Sequence, residues 1–128
     1  MTEHKHQVQL FLWAWVNRQK YPLLQLMYAI PNGEKRSMSV GKRLKAEGVK
    51  PGVPDIFLPV ARGGYHGLYI EMKRPKQGKA RPGRMRKEQL DWVDSLTGQG
   101  YLAVVCYGWG PAADLLKTYI IDKTGETK

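Results

Sequence analysis

Cysteine is nearly missing from this chain: Cys106 is the single one among 128 residues. No intramolecular disulfide is possible, and a Cys-rich zinc site is excluded. Histidine does not fill the gap. Only His4, His6 and His66 are present, and His4 and His6 sit two apart, which points them to different faces of a helix. Long apolar runs are lacking too; none approaches the roughly 20 residues that cross a bilayer. No N-terminal segment has the charged start, apolar middle and small-residue exit of a secretory signal. These absences give the expectation of a cytoplasmic chain with no membrane role. Acidic residues are also scarce, 11 Asp and Glu against 21 Lys and Arg, for a net charge of +10. Such an excess points to a polyanionic partner, nucleic acid before anionic membrane.

The basic residues are not evenly spread. Between Lys73 and Lys87 lie eight of them (Lys73, Arg74, Lys76, Lys79, Arg81, Arg84, Arg86 and Lys87) with no acid. A second cluster holds Lys35, Arg36, Lys42, Arg43, Lys45 and Lys50. Clusters like these bind a phosphate backbone with release of counterions. The hydrophobic share, 42%, is that of a folded domain. We expect one domain over residues 1–122 and a polar tail over 123–128.

Periodicity predicts a helix over 3–19, capped by Thr2, with Val8, Phe11, Leu12, Trp15 and Val16 on one face. Leu10, Trp13 and Ala14 make a second apolar side, which points either to a dimer or to a helix wrapped by its own domain. Residues 24–30 read as a short strand closed by the turn Pro31-Asn32-Gly33. A weaker helix over 37–47 starts at Ser37 and stops at Gly48. Strands follow at 55–60 and 67–73, joined across Gly63-Gly64 as a hairpin. Residues 75–83 read as a flexible basic loop. Residues 84–98 read as a helix, 101–107 as a buried strand, and 111–121 as a last helix beginning at Pro111. Of the four tryptophans, Trp109 is the candidate for an exposed one. Cys106 reads as an inert core residue. The order gives an α/β fold, a small mixed β-sheet flanked by helices.

The chemistry is concentrated in the central hairpin. Pro54-Asp55 opens the first strand, and sixteen residues after Asp55 comes Glu71, followed at the next position but one by Lys73. Strand alternation sets Tyr69, Glu71 and Lys73 on one face and Leu68, Ile70 and Met72 on the other. Hairpin pairing can bring Asp55 beside Glu71. Two carboxylates that close repel each other, and a divalent cation relieves the repulsion. Mg²⁺ keeps waters, one of which can attack a phosphodiester, with Lys73 stabilising the developing charge. An ordinary surface ion pair between Glu71 and Lys73 is the plain alternative. Gln89 is polar yet lies on the inward stripe of Met85, Trp92, Val93 and Leu96. A buried amide there needs a partner: a metal-bound carboxylate, a substrate phosphate, or backbone at the stripe's edge.

Together these residues resemble the PD-(D/E)xK nuclease superfamily, and within it the VRR-NUC group of stand-alone phage and bacterial type. The carriers are Glu3 and Gln7, Pro31-Asn32-Gly33 with Gly41, and the run from Gly48 to Asp55. Ile70-Glu71-Met72-Lys73, Gln89 with Trp92, and Gly100-Tyr101 complete the pattern. The resemblance implies a restriction-endonuclease-like core and Mg²⁺- or Mn²⁺-dependent hydrolysis of DNA, with no small-molecule cofactor. It makes Asp55 and Glu71 metal ligands, with the Met72 carbonyl as a third. Lys73 becomes the catalytic lysine, and Gln89 and Glu3 join the site. Met72 stands where the group often has Val. Stand-alone members look like homodimers acting on branched DNA, including four-way (Holliday) junctions, inside a bacterial cell or a phage-infected host. Lys42, Arg43, Lys45, Arg74, Lys76, Lys79 and Arg81 are the expected phosphate contacts. Two other readings remain: a non-catalytic nucleic-acid-binding module, and a sequence-specific restriction-type nuclease.

Overall fold

Helix α1 runs from Glu3 to Val16, and the Thr2 hydroxyl accepts a hydrogen bond from the Lys5 amide at its start. In this computed structural model, residues 1–31 and 38–123 are described. Asn32, Gly33, Lys35, Arg36 and the expected cap Ser37 lie outside them. The buried stripe of α1 is His6, Leu10 and Ala14, one position per helical turn. The expected core face is instead the outer one. Val8 is 55% exposed, Leu12 52%, Trp15 58% and Val16 69%, and only Phe11 packs partly on the core. Small residues decide this. The helix packs on α4 (Trp109–Ile121), and the facing stripes carry Ala14 on one side and Ala112 and Ala113 on the other. Small side chains let two helix backbones approach.

The strand expected over 24–30 is mostly a 3₁₀ turn, Pro22–Leu26, followed by the two-residue strand β1, Tyr28–Ala29. Pro22 fixes φ at the turn's start. Leu24 and Met27 are the buried residues. Their spacing of three matches the repeat of a 3₁₀ turn rather than the alternation of a strand. Helix α2 spans Met38–Ala46 and has no buried residue. Its end is marked by Gly48 at φ +98°.

Among the described residues, strands β2 (Ile56–Leu58), β3 (Leu68–Lys73) and β4 (Leu102–Tyr107) join β1 in a four-stranded sheet of order β1-β2-β3-β4. The first two pairings are antiparallel and the last is parallel, so the sheet is mixed. The Gly63-Gly64 turn has both glycines at positive φ and reciprocal backbone bonds between Arg62 and Tyr65. That is the two-residue connection a hairpin's twist favours. The crossover from β3 to β4 carries α3, Lys87–Gly98. Ile56, Leu58, Leu68, Ile70 and Met72 form the core face of the sheet, under α1 and α4.

Five expectations change here. The helix expected from 84 begins at Lys87, because the Gln89 side chain accepts the Arg86 amide and makes Arg86 the N-cap. Strand β4, expected to be buried, is an edge strand, half-buried along most of its length. The basic loop expected to be flexible is tied down. The Gly83 amide donates to the Arg74 carbonyl, Gln77 and Ala80 exchange backbone bonds, and the Arg74 guanidinium donates to the Arg81 carbonyl. Helix α4 starts at Trp109, two residues earlier than expected. Trp109 packs against the core, and the exposed tryptophan is Trp15, with the Arg18 guanidinium 3.8 Å above its ring.

Candidate active site

Register sets the site. Ile56 pairs with Ile70 and Phe57 with Tyr69, so Asp55, just before β2, falls opposite Glu71. Asp55 Oδ2 accepts the Met72 amide at 2.8 Å, which fixes this carboxylate against the backbone of β3. Glu71 and Lys73 point away from the core face, yet both are buried, at 2% and 6% exposure. Their ion pair, Lys73 Nζ to Glu71 Oε1 at 3.7 Å, is therefore not the surface pair considered as an alternative. Gln89 Nε2 donates to the same Oε1 at 2.9 Å. Gln89 thus meets both needs foreseen for it: its oxygen caps α3 and its nitrogen holds a carboxylate.

Glu71 Oε2 is buried with no hydrogen-bond partner. Burial and the Asp55 charge push the Glu71 carboxyl up to about 8, despite the opposing pull of Lys73. Asp55 is raised as well, mainly by burial, with the Met72 amide pulling the other way. Two acids facing each other in a dry place hold a proton between them.

Glu3 stands at the rim. Its Oε1 would lie 2.9 Å from a Cβ placed on Gly83, while Lys73 Cδ would lie 3.3 Å from the same point. Its charge adds to the upward push on both Asp55 and Glu71. Among the described residues, no group of three or more His, Cys, Asp or Glu converges as a metal cage. Asp55 and Glu71 are a pair, with Glu3 beside it. A pair fits a cation that binds one or two carboxylates and keeps its waters. Glu71 Oε2, buried beside Asp55 and bonded to neither Gln89 nor Lys73, is the acceptor such a cation would find.

A cleft of about 780 Å³ opens beside Glu3 and Gly83, lined also by Lys5, Arg74 and Gln77; Asp55 and Glu71 do not line it. Lys76, Lys79 and Arg81 are exposed on the tied-down loop, and Lys42, Arg43 and Lys45 are exposed on α2. Arg43 is engaged by Glu47 at 3.3 Å.

Some contributors were not foreseen. The loop before Asp55 is clamped to α3: Trp92 Nε1 donates to the Pro51 carbonyl at 3.2 Å. Gly52, at φ +88°, packs so closely that a Cβ would meet the Glu88 carbonyl oxygen at 2.8 Å. His6 Nδ1 accepts the Trp109 amide at 3.1 Å and so caps α4, while Gly108 donates to the Lys73 carbonyl. Burial lowers the His6 pKa and keeps the ring neutral, as an acceptor must be. The one signal for His6 was its spacing of four from Leu10.

A mixed α/β sheet thus gathers Asp55, Glu71 and Lys73 at one site. The VRR-NUC domain model matches residues 2–109, and the chain belongs to the VRR-NUC family. A solved structure described as a VRR_NUC domain protein superposes with a TM-score of 0.77 at 30% identity, covering 96% of this chain and 91% of that one. No curated protein matches the sequence. The α/β architecture expected from the sequence is the one found. Membership makes this a nuclease-like, DNA-directed domain. Among the described residues, no helix is long and apolar enough to cross a membrane.

Proposed function

We propose that the protein is a divalent-metal-dependent DNA endonuclease, selective for branched DNA such as four-way junctions. The observation that carries this is the buried pair Asp55 and Glu71, with Glu71 Oε2 unsatisfied and Lys73 alongside. Asp55, Glu71 and the Met72 carbonyl are the groups that would hold Mg²⁺ or Mn²⁺. Met72 belongs because its backbone already lies against Asp55. When bound, such a cation supplies charge neutralisation at the phosphate and a water acidic enough to attack it. Gln89 keeps Glu71 Oε1 in place, which would leave Oε2 to hold the cation. Lys73 puts a positive charge beside the reacting phosphate, where negative charge builds up. Glu3 acts from the rim. Arg74, Lys76, Lys79 and Arg81 on the loop, and Lys42, Arg43 and Lys45 on α2, take the DNA backbone.

The exposed stripe of α1 supports a homodimer, which would present two such sites. A cleavage screen on linear duplex, flap, splayed-arm and four-way DNA, with Mg²⁺ and then Mn²⁺, tests the reading. Cutting of the branched DNAs, lost in Asp55→Ala, is the expected result. Discrete fragments from plain duplex alone would favour a sequence-specific restriction-type enzyme. Absence of cutting on every DNA would leave a binding module.

A further inference from the structure

The face of the sheet that bears Glu71 and Lys73 also bears a row of aromatic rings. Tyr28 pairs with Phe57, and Phe57 with Tyr69, so the three stand side by side across β1, β2 and β3. Their rings touch: Phe57 stacks on Tyr69 at 4.3 Å between centroids, and Tyr28 meets Phe57 edge-on at 5.9 Å. Tyr101 meets Tyr69 at 5.3 Å, and His66 meets Tyr101 at 5.7 Å. Two glycines make room for the row. A Cβ on Gly67 would strike the Phe57 ring at 2.8 Å, and one on Gly100 would strike His66 at 2.6 Å. The rings are not sealed in a core. Tyr28 is 51% exposed, His66 is exposed, and Phe57, Tyr69 and Tyr101 are partly so.

Position gives the row its meaning. Tyr69 precedes Glu71 by two residues, and Phe57 follows Asp55 by two, which is about 7 Å along a strand. That is close to one nucleotide step of an extended single strand. The chain around the row is strongly basic, at +10.

We propose that Tyr28, Phe57, Tyr69 and Tyr101 form a stacking platform for unpaired bases of a DNA strand next to the scissile phosphate. The placement of that phosphate rests on the nuclease reading above. Aromatic faces stack any base, and a base can reach them only where the duplex is already open. A paired arm keeps its bases inside and leaves the rings unused. The platform thus gives the domain a means of reading an unpaired arm, as in a flap or splayed-arm DNA, without reading sequence.

The test uses the full chain in EDTA, so it reads binding and not cleavage. The DNAs are a blunt duplex and the same duplex with a single-stranded arm carrying 2-aminopurine. Wild type should prefer the arm-bearing DNA and shift the fluorescence of the arm's 2-aminopurine. Tyr28→Ala, at a half-exposed position that leaves the core intact, should weaken arm binding roughly ten-fold and blunt binding less than about two-fold. Tyr28→Phe should restore it, and Tyr28→Leu should not. Equal binding of both DNAs by wild type, or a Tyr28→Leu that binds like wild type, would overturn the platform. So would a Tyr28→Ala that changes size in solution but not arm binding, which would give this face to a second copy. Arm preference in EDTA without any cutting in Mg²⁺ or Mn²⁺ would sink the nuclease reading and keep the platform; cutting without arm preference would do the reverse.

Discussion

Glu71 is an acid held where an anion is disfavoured, and this has a measurable consequence without any metal. Its carboxyl titrates at about 8 instead of 4.5. Between those values the folded chain holds a proton that the unfolded chain has released. Stability is therefore fully present below about 4.5 and lost as pH rises through about 8. In EDTA, Tm should fall over that window by roughly 5–15 °C. Glu71→Gln, neutral throughout, should remove most of the slope. Mn²⁺ should raise Tm most at the alkaline end, because a cation takes the proton's place. A wild-type slope equal to that of Glu71→Gln would show that Glu71 is not the strained group. Lys73→Ala removes the cation that pulls this carboxyl down, and it should cut cleavage by about 100-fold or more while DNA binding in EDTA holds. At this scale the sequence was readable. Alternation alone placed Glu71 and Lys73 on one face, and hairpin register placed Asp55 opposite. The pair's burial was not readable, because it depends on α3 reaching over the sheet to put Gln89 on Glu71.

Elements matter through how firmly they hold those residues. The segment leading to Asp55 is pinned to α3 by Trp92 on Pro51 and by the close approach of Gly52 to Glu88. Gly52→Ala meets both a positive φ and a backbone oxygen at 2.8 Å, so the segment must lift off α3. It should cost roughly 2 kcal/mol or more and reduce cleavage more than lost stability explains. Gly48 is the control. It also has positive φ, +98°, but nothing lies within 4 Å of its Cβ position. Gly48→Ala should cost only about 1 kcal/mol and leave cleavage intact. Equal loss of activity in both variants would disprove the clamp. The turn glycines were legible as turns, since Lys50-Pro51-Gly52-Val53-Pro54 excludes a helix. What Gly52 packs against was not, because a sequence pattern carries no distance between segments 36 residues apart. The 3₁₀ turn at Pro22–Leu26 was misread for a related reason. An apolar run is consistent with several backbones, and here the buried positions, Leu24 and Met27, select the repeat of three.

On the scale of the whole molecule, charge and one apolar stripe set how it meets other molecules. With +10 overall and eight of the cations between Lys73 and Lys87, DNA binding should weaken steeply with salt. The apolar stripe concerns a second copy. Val8, Leu12, Trp15 and Val16 follow helical spacing well enough to look like a core face, and the fold leaves them outside. A helix apolar on two sides has no unique inward direction; the small residues on α4 chose His6, Leu10 and Ala14. The remaining side is what a symmetric partner could cover, since a two-fold axis brings the same stripe against itself. If so, wild type should elute as a dimer, and Leu12→Glu or Val16→Glu should make it a monomer. Because both positions are exposed within one copy, the variant monomers should stay folded, each losing less than about 1 kcal/mol. A monomeric wild type would remove the dimer. A dimer indifferent to both substitutions would move its interface elsewhere on the surface, and the stripe would then be a feature of the isolated helix alone.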